Sequence, residues 1–291
     1  MYEKFYGFSE RPFALRPDAR FLFLGKHHER ALLLMEYGLE NEAAILLITG
    51  EIGAGKTTLI RCLLERMDEK LTVGLMSHTS RTSGRILQWV CLAFGIDVHG
   101  KDDVVLYEDL THFLINVYAR GQRAVLIVDE AQNLGSERLE ELRLLSNLNA
   151  DQDFLLQMII VGQPELRTLM QSPRLTQLAQ RIGADYHIGG LSIGETLQYV
   201  QHRLKVAGGS EEIISPGAIR LVFASSRGIP RLINQLCDTA LVYGYAEQKP
   251  AIDEQLMSEV IRDRTRGGIF PGRPLAAADQ RDHAAKPSEQ S

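Results

Sequence analysis

The chain has 291 residues, of which 45% are hydrophobic and 24% are charged, and its formal net charge is −5. This composition is that of an ordinary globular protein, and the acidic balance excludes a chain-wide basic field able to hold a polyanion. The sequence has no run of about 18 apolar residues and no apolar signal-peptide core at its start. We therefore expect a cytoplasmic protein without a transmembrane segment.

The first predicted segment, residues 1–24, is irregular and rich in aromatic side chains. Its prolines argue against regular structure, and so many aromatic rings would be costly to leave in water. We expect this segment to pack on the main domain as a linker. A sharper interpretation is that part of it lines a pocket for an adenine base. An amphipathic helix is predicted next, over residues 27–41.

A glycine-rich loop follows the first predicted strand. Residues 43–49 are a continuous apolar run typical of a buried strand, and residues 58–67 have apolar side chains at helical spacing. The loop between them reads GEIGAGKT, and its small side chains let successive backbone N–H groups surround an anion at the helix N-terminus. The predicted nucleotide-binding residues are Gly50, Glu51, Ile52, Gly53, Ala54, Gly55, Lys56, Thr57 and Thr58.

Two side chains of this loop have specific predicted roles. Lys56 can reach the β- and γ-phosphates of a nucleotide, and the hydroxyl of Thr57 can bind Mg²⁺. The pattern therefore predicts that the chain binds a nucleoside triphosphate together with Mg²⁺.

Strands and helices alternate through the next hundred residues. Further strands are predicted over residues 71–76, 124–128, 154–161 and 184–188. Helices are predicted between them over residues 84–94, 107–120, 136–149, 166–170 and 175–181. This alternation implies an α/β fold, with a parallel sheet sandwiched by helices as in P-loop NTPases.

Polar side chains at two strand ends are the predicted catalytic groups. Asp129 and Glu130 end one apolar strand, and a carboxylate at this position lies beside the phosphate loop in this fold class. Asp129 is predicted to hold Mg²⁺ with Thr57, and Glu130 to orient the attacking water. Gln163 ends the next strand and is predicted to bridge Glu130, the water and the γ-phosphate. Alternatively, Gln163 only turns the chain.

Three arginines are predicted to contact phosphate. Arg231 begins a predicted helix, where a guanidinium opposes the helix dipole, so we expect it to face an anion. Arg181 is predicted to reach the nucleotide of a neighbouring subunit as an arginine finger, with Arg174 as the alternative. Residues 80–85 form a small basic loop that could contact a polyanion, although arginines in loops are more often only solvated.

The pattern changes after residue 190, where helices follow one another without strands. The first is predicted from Ser192, which forms a capping box with Glu195, to residue 206. Further helices are predicted from residue 215, over 230–247 and over 253–264. The predicted organisation is an aromatic linker (1–24), an α/β core (25–189), a small all-helical lid (190–264) and a disordered tail (265–291).

These motifs together resemble those of the AAA+ ATPases, and within them the general secretion pathway protein A type. The residues that carry the resemblance are the aromatic opening, GEIGAGKTT (50–58), DEAQNL (129–134), VGQPEL (161–166), QRI (180–182) and GIPRLINQLCDTAL (228–241). Proteins of this type typically continue into a membrane span and a peptidoglycan-binding module. This chain looks like the short relatives found with pilus biogenesis or with exopolysaccharide and exosortase systems.

The resemblance implies a role for each predicted site residue. Lys56 and Thr57 would be the Walker A pair, Asp129 and Glu130 the Walker B pair, Gln163 sensor 1, Arg181 the finger and Arg231 sensor 2. The glutamine is a departure, since the superfamily more often has Asn, Ser or Thr at sensor 1.

The resemblance also implies a function. It is an Mg²⁺-dependent ATPase that couples ATP hydrolysis to rearrangement of a partner, or of a nucleotide-dependent ring or filament of identical subunits. The setting would be bacterial secretion, pilus or polysaccharide export, with the protein held at the inner membrane through a partner. The alternatives are a DNA-associated regulator of the transposition type and an ATP-binding switch with little turnover.

Overall fold

The computed structural model describes residues 1–15, 18–41, 43–67, 71–77, 85–150, 153–267 and 271–272. The chain divides into two compact units. The α/β unit is Lys26–Gly189, and the helical unit combines Met1–Gly25 with the chain from Gly190 onward. Residues 80–84 of the predicted basic loop, and nearly all of the predicted tail, lie outside the described residues.

The α/β unit contains a five-stranded sheet and a short strand pair. In chain order the strands are β1 (Ile45–Gly50), β2 (Leu71–Met76), β3 (Arg123–Val128), β4 (Asn149–Ala150), β5 (Asp153–Phe154), β6 (Leu156–Gly162) and β7 (Ile182–Ile188). The sheet order is β2-β3-β6-β1-β7 and every pairing in it is parallel. The antiparallel pair β4-β5 was not predicted. Every residue of β1 and β6 is buried, as expected for central parallel strands covered on both faces.

The helices confirm the predicted alternation. They are α1 (Glu3–Tyr6), α2 (Lys26–Glu40), α3 (Lys56–Met67), α4 (Ile86–Ala93), α5 (Asp103–Ala119), α6 (Gly135–Leu145), α7 (Pro164–Met170), α8 (Thr176–Ala179), α9 (Ile193–Val206), α10 (Pro216–Ser226), α11 (Pro230–Ala246) and α12 (Glu254–Arg266). The capping box of Ser192 and Glu195 is present at the start of α9. Helix α12 continues two residues beyond the predicted end of the lid. Within the part of the chain described above, no helix has the length and apolar character needed to cross a bilayer.

The aromatic segment packs against the helices of the helical unit, and its predicted packing on the main domain stays a prediction. Its buried rings share one core with helices α9 to α12, and they are Tyr2, Tyr6, Phe8, Phe13 and Phe21. Glycines make room for them, because a Cβ at Gly209 would clash with the ring of Phe8. Arg203 of α9 lies 4.8 Å from the ring of Phe21, a cation–π contact inside the same core.

The parallel sheet brings three separate chain segments to one edge. Strands β3, β6 and β1 are neighbours in the sheet, and they run in the same direction. The residues that end or follow them therefore meet at the carboxyl edge, and these are Gly50, Asp129 and Gln163. This edge is where an open α/β sheet binds its ligands.

Candidate nucleotide site

The glycine-rich loop adopts a backbone that requires glycine. Gly55 has φ of 98°, in the region that residues with a side chain rarely adopt, and it is followed at once by helix α3. A Cβ on Gly55 would lie 2.9 Å from Nε2 of His28, on helix α2. That ring nitrogen is 2.7 Å from the carbonyl oxygen of Ala54, which can only accept, so Nε2 donates. The buried histidine therefore supports the loop by a hydrogen bond to Ala54 and by packing beside Gly55.

Lys56 is the first residue of α3 and is buried. Its ammonium group donates to the carbonyl oxygens of Gly50 at 2.7 Å and of Glu51 at 3.0 Å. Burial lowers the pKa of Lys56 from its ordinary value, while the carboxylates of Glu130 and Asp129 act in the opposite direction. The cation is thus held inside the loop and faces a pair of acidic groups.

Thr57 and Asp129 converge from different elements. The hydroxyl of Thr57, on α3, is 3.5 Å from the carboxylate of Asp129, which follows β3. The backbone N–H of Asp129 donates to the carbonyl oxygen of Met76, so the end of β2 fixes its position. A hydroxyl and a carboxylate are oxygen ligands of the kind that Mg²⁺ prefers, and their side chains fit that ion.

Glu130 is held by two amide groups. Its backbone is left-handed, with φ of 53°, and its N–H donates to the carboxylate of Asp129 at 2.9 Å. One oxygen of its carboxylate, Oε2, accepts from Nε2 of Gln163 at 2.9 Å and from Nε2 of Gln132 at 2.6 Å. The predicted pair of Glu130 and Gln163 therefore meets in the structure.

Gln132 belongs to this cluster and was missed by the sequence analysis. It lies in a 3-10 helix, Ala131–Asn133, directly after Glu130, and its Oε1 also accepts the backbone N–H of Gln163 at 3.1 Å. A faint signal was present, because the motif DEAQNL puts an amide side chain two residues after the acidic pair.

The three predicted arginines have different surroundings. Arg181 is half-buried, and its Nη1 donates to the carbonyl oxygen and the hydroxyl of Ser146, at the end of α6. Arg174 lies in a 3-10 helix, Pro173–Leu175, and is exposed. Arg231 is exposed in the first turn of α11 in the helical unit.

The remaining predicted loop residues line the outer side of the site. Glu51, Ile52, Thr57 and Thr58 are exposed, whereas Ala54 is buried. A polar side chain at position 57 or 58 can therefore meet a ligand from solvent. The basic loop that favoured a polyanion as partner falls on undescribed residues apart from Arg85, which forms an ion pair with Asp103.

A glycine-rich loop between a central parallel strand and a helix, with an Asp-Glu pair at the end of a nearby strand and a separate helical unit, defines the AAA+ class of P-loop proteins. A family model described as "AAA domain" matches residues 39–170. General secretion pathway protein A of Aeromonas hydrophila is 42% identical over 248 residues, which are 84% of this chain and 45% of that protein. The chain belongs to the AAA+ ATPases of the general secretion pathway protein A type, and it spans less than half the length of this relative.

Solved structures share the fold at low sequence identity. The ORC2 protein of Aeropyrum pernix, in ADPNP-ADP complexes, is 17% identical with a TM-score of 0.61, covering 94% of this chain and 74% of its own. Cdc6p of Pyrobaculum aerophilum is 17% identical with a TM-score of 0.63, covering 85% and 71%. At this identity the likeness supports the fold alone.

Proposed function

We propose that this chain binds ATP with Mg²⁺ in the glycine-rich loop and hydrolyses it to ADP and inorganic phosphate. The observation that carries the proposal is the convergence of Lys56, Thr57, Asp129, Glu130 and Gln163 at one edge of the sheet. A cation, a pair of metal-binding oxygens, a carboxylate and an amide are the groups that hydrolysis of a triphosphate uses. Thr57 and Asp129 would hold Mg²⁺, which would neutralise the negative charge that builds up on the phosphates.

Some residues of the site would bind the phosphates, and Glu130 would accept a proton. Lys56 exchanges one of its carbonyl partners for a phosphate oxygen, which preserves its hydrogen bonds. Glu130 orients a water molecule towards the γ-phosphorus and accepts its proton. A bond forms between the water oxygen and phosphorus as the bond from phosphorus to the bridging oxygen of ADP breaks. Gln163 bridges Glu130 and the γ-phosphate.

Two arginines are proposed to contact the phosphates in addition to these groups, one as a finger from a neighbouring subunit and one as sensor 2. The exposure of Arg174 supports it as the finger that reaches the nucleotide of a neighbour, because Nη1 of Arg181 is already engaged with Ser146. Arg231, exposed at the start of α11, is our candidate for sensor 2, the arginine that responds to the γ-phosphate.

We further propose that hydrolysis rearranges an oligomer of this chain or a partner in bacterial secretion, pilus or polysaccharide export. The support is the 42% identity to general secretion pathway protein A. Attachment to the inner membrane would then come through that partner.

Two substitutions test the proposal. Lys56→Ala removes charge-assisted hydrogen bonds worth about 1.5–3 kcal/mol, so ATP affinity should fall roughly ten- to hundredfold in calorimetry. Glu130→Gln keeps the shape of the side chain but cannot take a proton, so the variant should bind ATP normally and hydrolyse it about 10²–10⁴ times more slowly. Single-turnover measurement of phosphate release gives the rates.

The same measurements separate an ATPase from an ATP-binding switch. Hydrolysis by Glu130→Gln at the wild-type rate would remove this residue from the role of base. Normal ATP binding with wild-type hydrolysis as slow as that of Glu130→Gln would identify an ATP-binding switch. Unchanged ATP affinity in Lys56→Ala would overturn the binding site itself.

A further inference from the structure

We propose that Gln132 is the positioning residue of Glu130, holding its carboxylate in place while the Gln163 amide adjusts to bridge Glu130 and the γ-phosphate. The inference rests on the proposed ATPase function and assigns a residue to it that the phosphate-loop and strand-end motifs leave without a role. It follows from hydrogen-bond geometry, from the space around the amide and from the way two donors share one carboxylate oxygen.

The orientation of the Gln132 amide is fixed by chemistry. The carboxylate of Glu130 can only accept, so the group 2.6 Å from it must be the NH₂ of Gln132. The backbone N–H of Gln163 can only donate, so the group 3.1 Å from it must be the oxygen of the same amide. The amide therefore makes one hydrogen bond at each end, and exchanging its oxygen and nitrogen would lose both. Gln132 ties the acidic residue after β3 to the end of β6.

The end of β6 leaves room for this amide. Gly162 is buried, and a Cβ there would lie 2.7 Å from Oε1 of Gln132 and 2.6 Å from a methyl carbon of Leu166. Atoms cannot approach this closely, so any larger residue would push one of the two side chains away. The glycine before Gln163 is therefore needed for space at this site.

The two amides have different freedom to move. Gln163 is the N-cap residue of α7, and its side-chain amide donates to Glu130 at 2.9 Å. Gln132 is held at both ends. When the Gln163 amide turns towards a γ-phosphate, Gln132 still donates to Glu130. The carboxylate then keeps its direction towards the attacking water, which matters because small displacements of a catalytic group greatly slow a reaction.

The test compares three variants with the wild type, each as the whole 291-residue chain. Gln132→Leu keeps the size of the side chain and removes both hydrogen bonds. We expect kcat for ATP hydrolysis to fall at least about tenfold, with KM and calorimetric ATP affinity within about twofold of the wild type. Asn133→Leu is the matched control, since Asn133 is exposed in the same 3-10 helix, and its kinetics should be unchanged. Gly162→Ala crowds the amide oxygen of Gln132 without altering the amide, so it should lower kcat in the same way, and it serves if Gln132→Leu does not fold.

A double variant shows whether Gln132 acts through Glu130. If it does, adding Gln132→Leu to Glu130→Gln should cause no further loss of the residual hydrolysis. An unchanged kcat in Gln132→Leu, an equal loss of ATP affinity and kcat, or a further loss in the double variant would each overturn the inference. Failure of the proposed function gives a different result, because the wild type would then hydrolyse ATP as slowly as Glu130→Gln does, before any change at Gln132.

Discussion

Gly55 shows how a single residue sets the shape of the phosphate loop. Its φ of 98° is costly for any residue with a side chain, by about 1–2 kcal/mol. The space beside it is also closed, because Nε2 of His28 lies only 2.9 Å from the position that a Cβ would take. The histidine in turn supports the carbonyl oxygen of Ala54. Backbone conformation and packing therefore both demand glycine at this position.

We expect Gly55→Ala to lose nucleotide binding while the protein remains folded. The added methyl group forces either the loop backbone or His28 to move, so ATP affinity should fall at least about tenfold, a cost of about 1.4 kcal/mol. Titration with a fluorescent ATP analogue and thermal unfolding measure the two effects. Gly194→Ala is the control, because Gly194 lies in α9 with no atom within 4 Å of the added carbon. Equal affinities in the two variants would contradict the argument.

The sequence predicted the residues of the site that belong to a local pattern. Short motifs of neighbouring residues predict Lys56, Thr57 and the Asp129-Glu130 pair, because local backbone geometry places these side chains. The contacts of Gln132 could not be predicted, because they depend on Gln163, which is distant in sequence, and on the space beside Gly162. The engagement of Arg181 with Ser146 is likewise a tertiary contact, and the QRI motif gives no sign of it.

At the scale of elements, helix α9 and the aromatic segment are joined through one buried cation. Arg203 is 6% exposed and donates to the carbonyl oxygens of Pro12 at 2.6 Å and Ala14 at 3.1 Å. A third donor reaches the hydroxyl of Tyr199 at 2.8 Å. Carbonyl groups of an irregular segment need such partners when they are buried, since water cannot reach them. The aromatic composition of residues 1–24 predicted burial, but the choice of partner depends on this long-range contact.

We expect Arg203→Met to loosen the aromatic segment. Methionine fills a similar volume but leaves the carbonyl oxygens of Pro12 and Ala14 unpaired, at a cost of about 1–3 kcal/mol each that is partly offset by removing a buried charge. Faster limited proteolysis near residues 12–14 and a lower melting temperature would report it. Arg11→Met is the control, because Arg11 is exposed and its ion pair with Asp238 is worth about 0–1 kcal/mol. Equal protease sensitivity in both variants would contradict the role given to Arg203.

At the scale of the whole molecule, the proposed arginine finger makes the active site a property of two subunits. The phosphate loop comes from one chain, and Arg174 of a neighbour would complete it. A finger supplied in this way accelerates hydrolysis strongly, by about 10³–10⁵ in well-studied cases. A subunit that lacks one of these two parts can then still contribute the other part to a site shared with a neighbour.

A mixing experiment tests this arrangement. Arg174→Ala and Lys56→Ala should each hydrolyse ATP slowly alone, the first with normal ATP affinity. Mixed together, they should regain activity, because some sites combine the intact loop of one variant with the intact arginine of the other. Arg181→Ala mixed with Lys56→Ala provides the comparison. Recovery only in the mixture with Arg181→Ala would assign the finger to Arg181, and recovery in neither would exclude a shared site.

The helical unit is built from two separate stretches of the chain, and this has a consequence during synthesis. The hydroxyl of Tyr2 donates a hydrogen bond to Asp238, so the aromatic segment cannot complete its contacts until residue 238 has been made. At roughly 5–20 residues per second, a ribosome needs on the order of 10 to 30 s to make the intervening α/β unit. For that time the first aromatic rings emerge without the helices that cover them. Folding of this unit therefore cannot finish until helices α9 to α12 have been made, and the exposed rings favour aggregation before then.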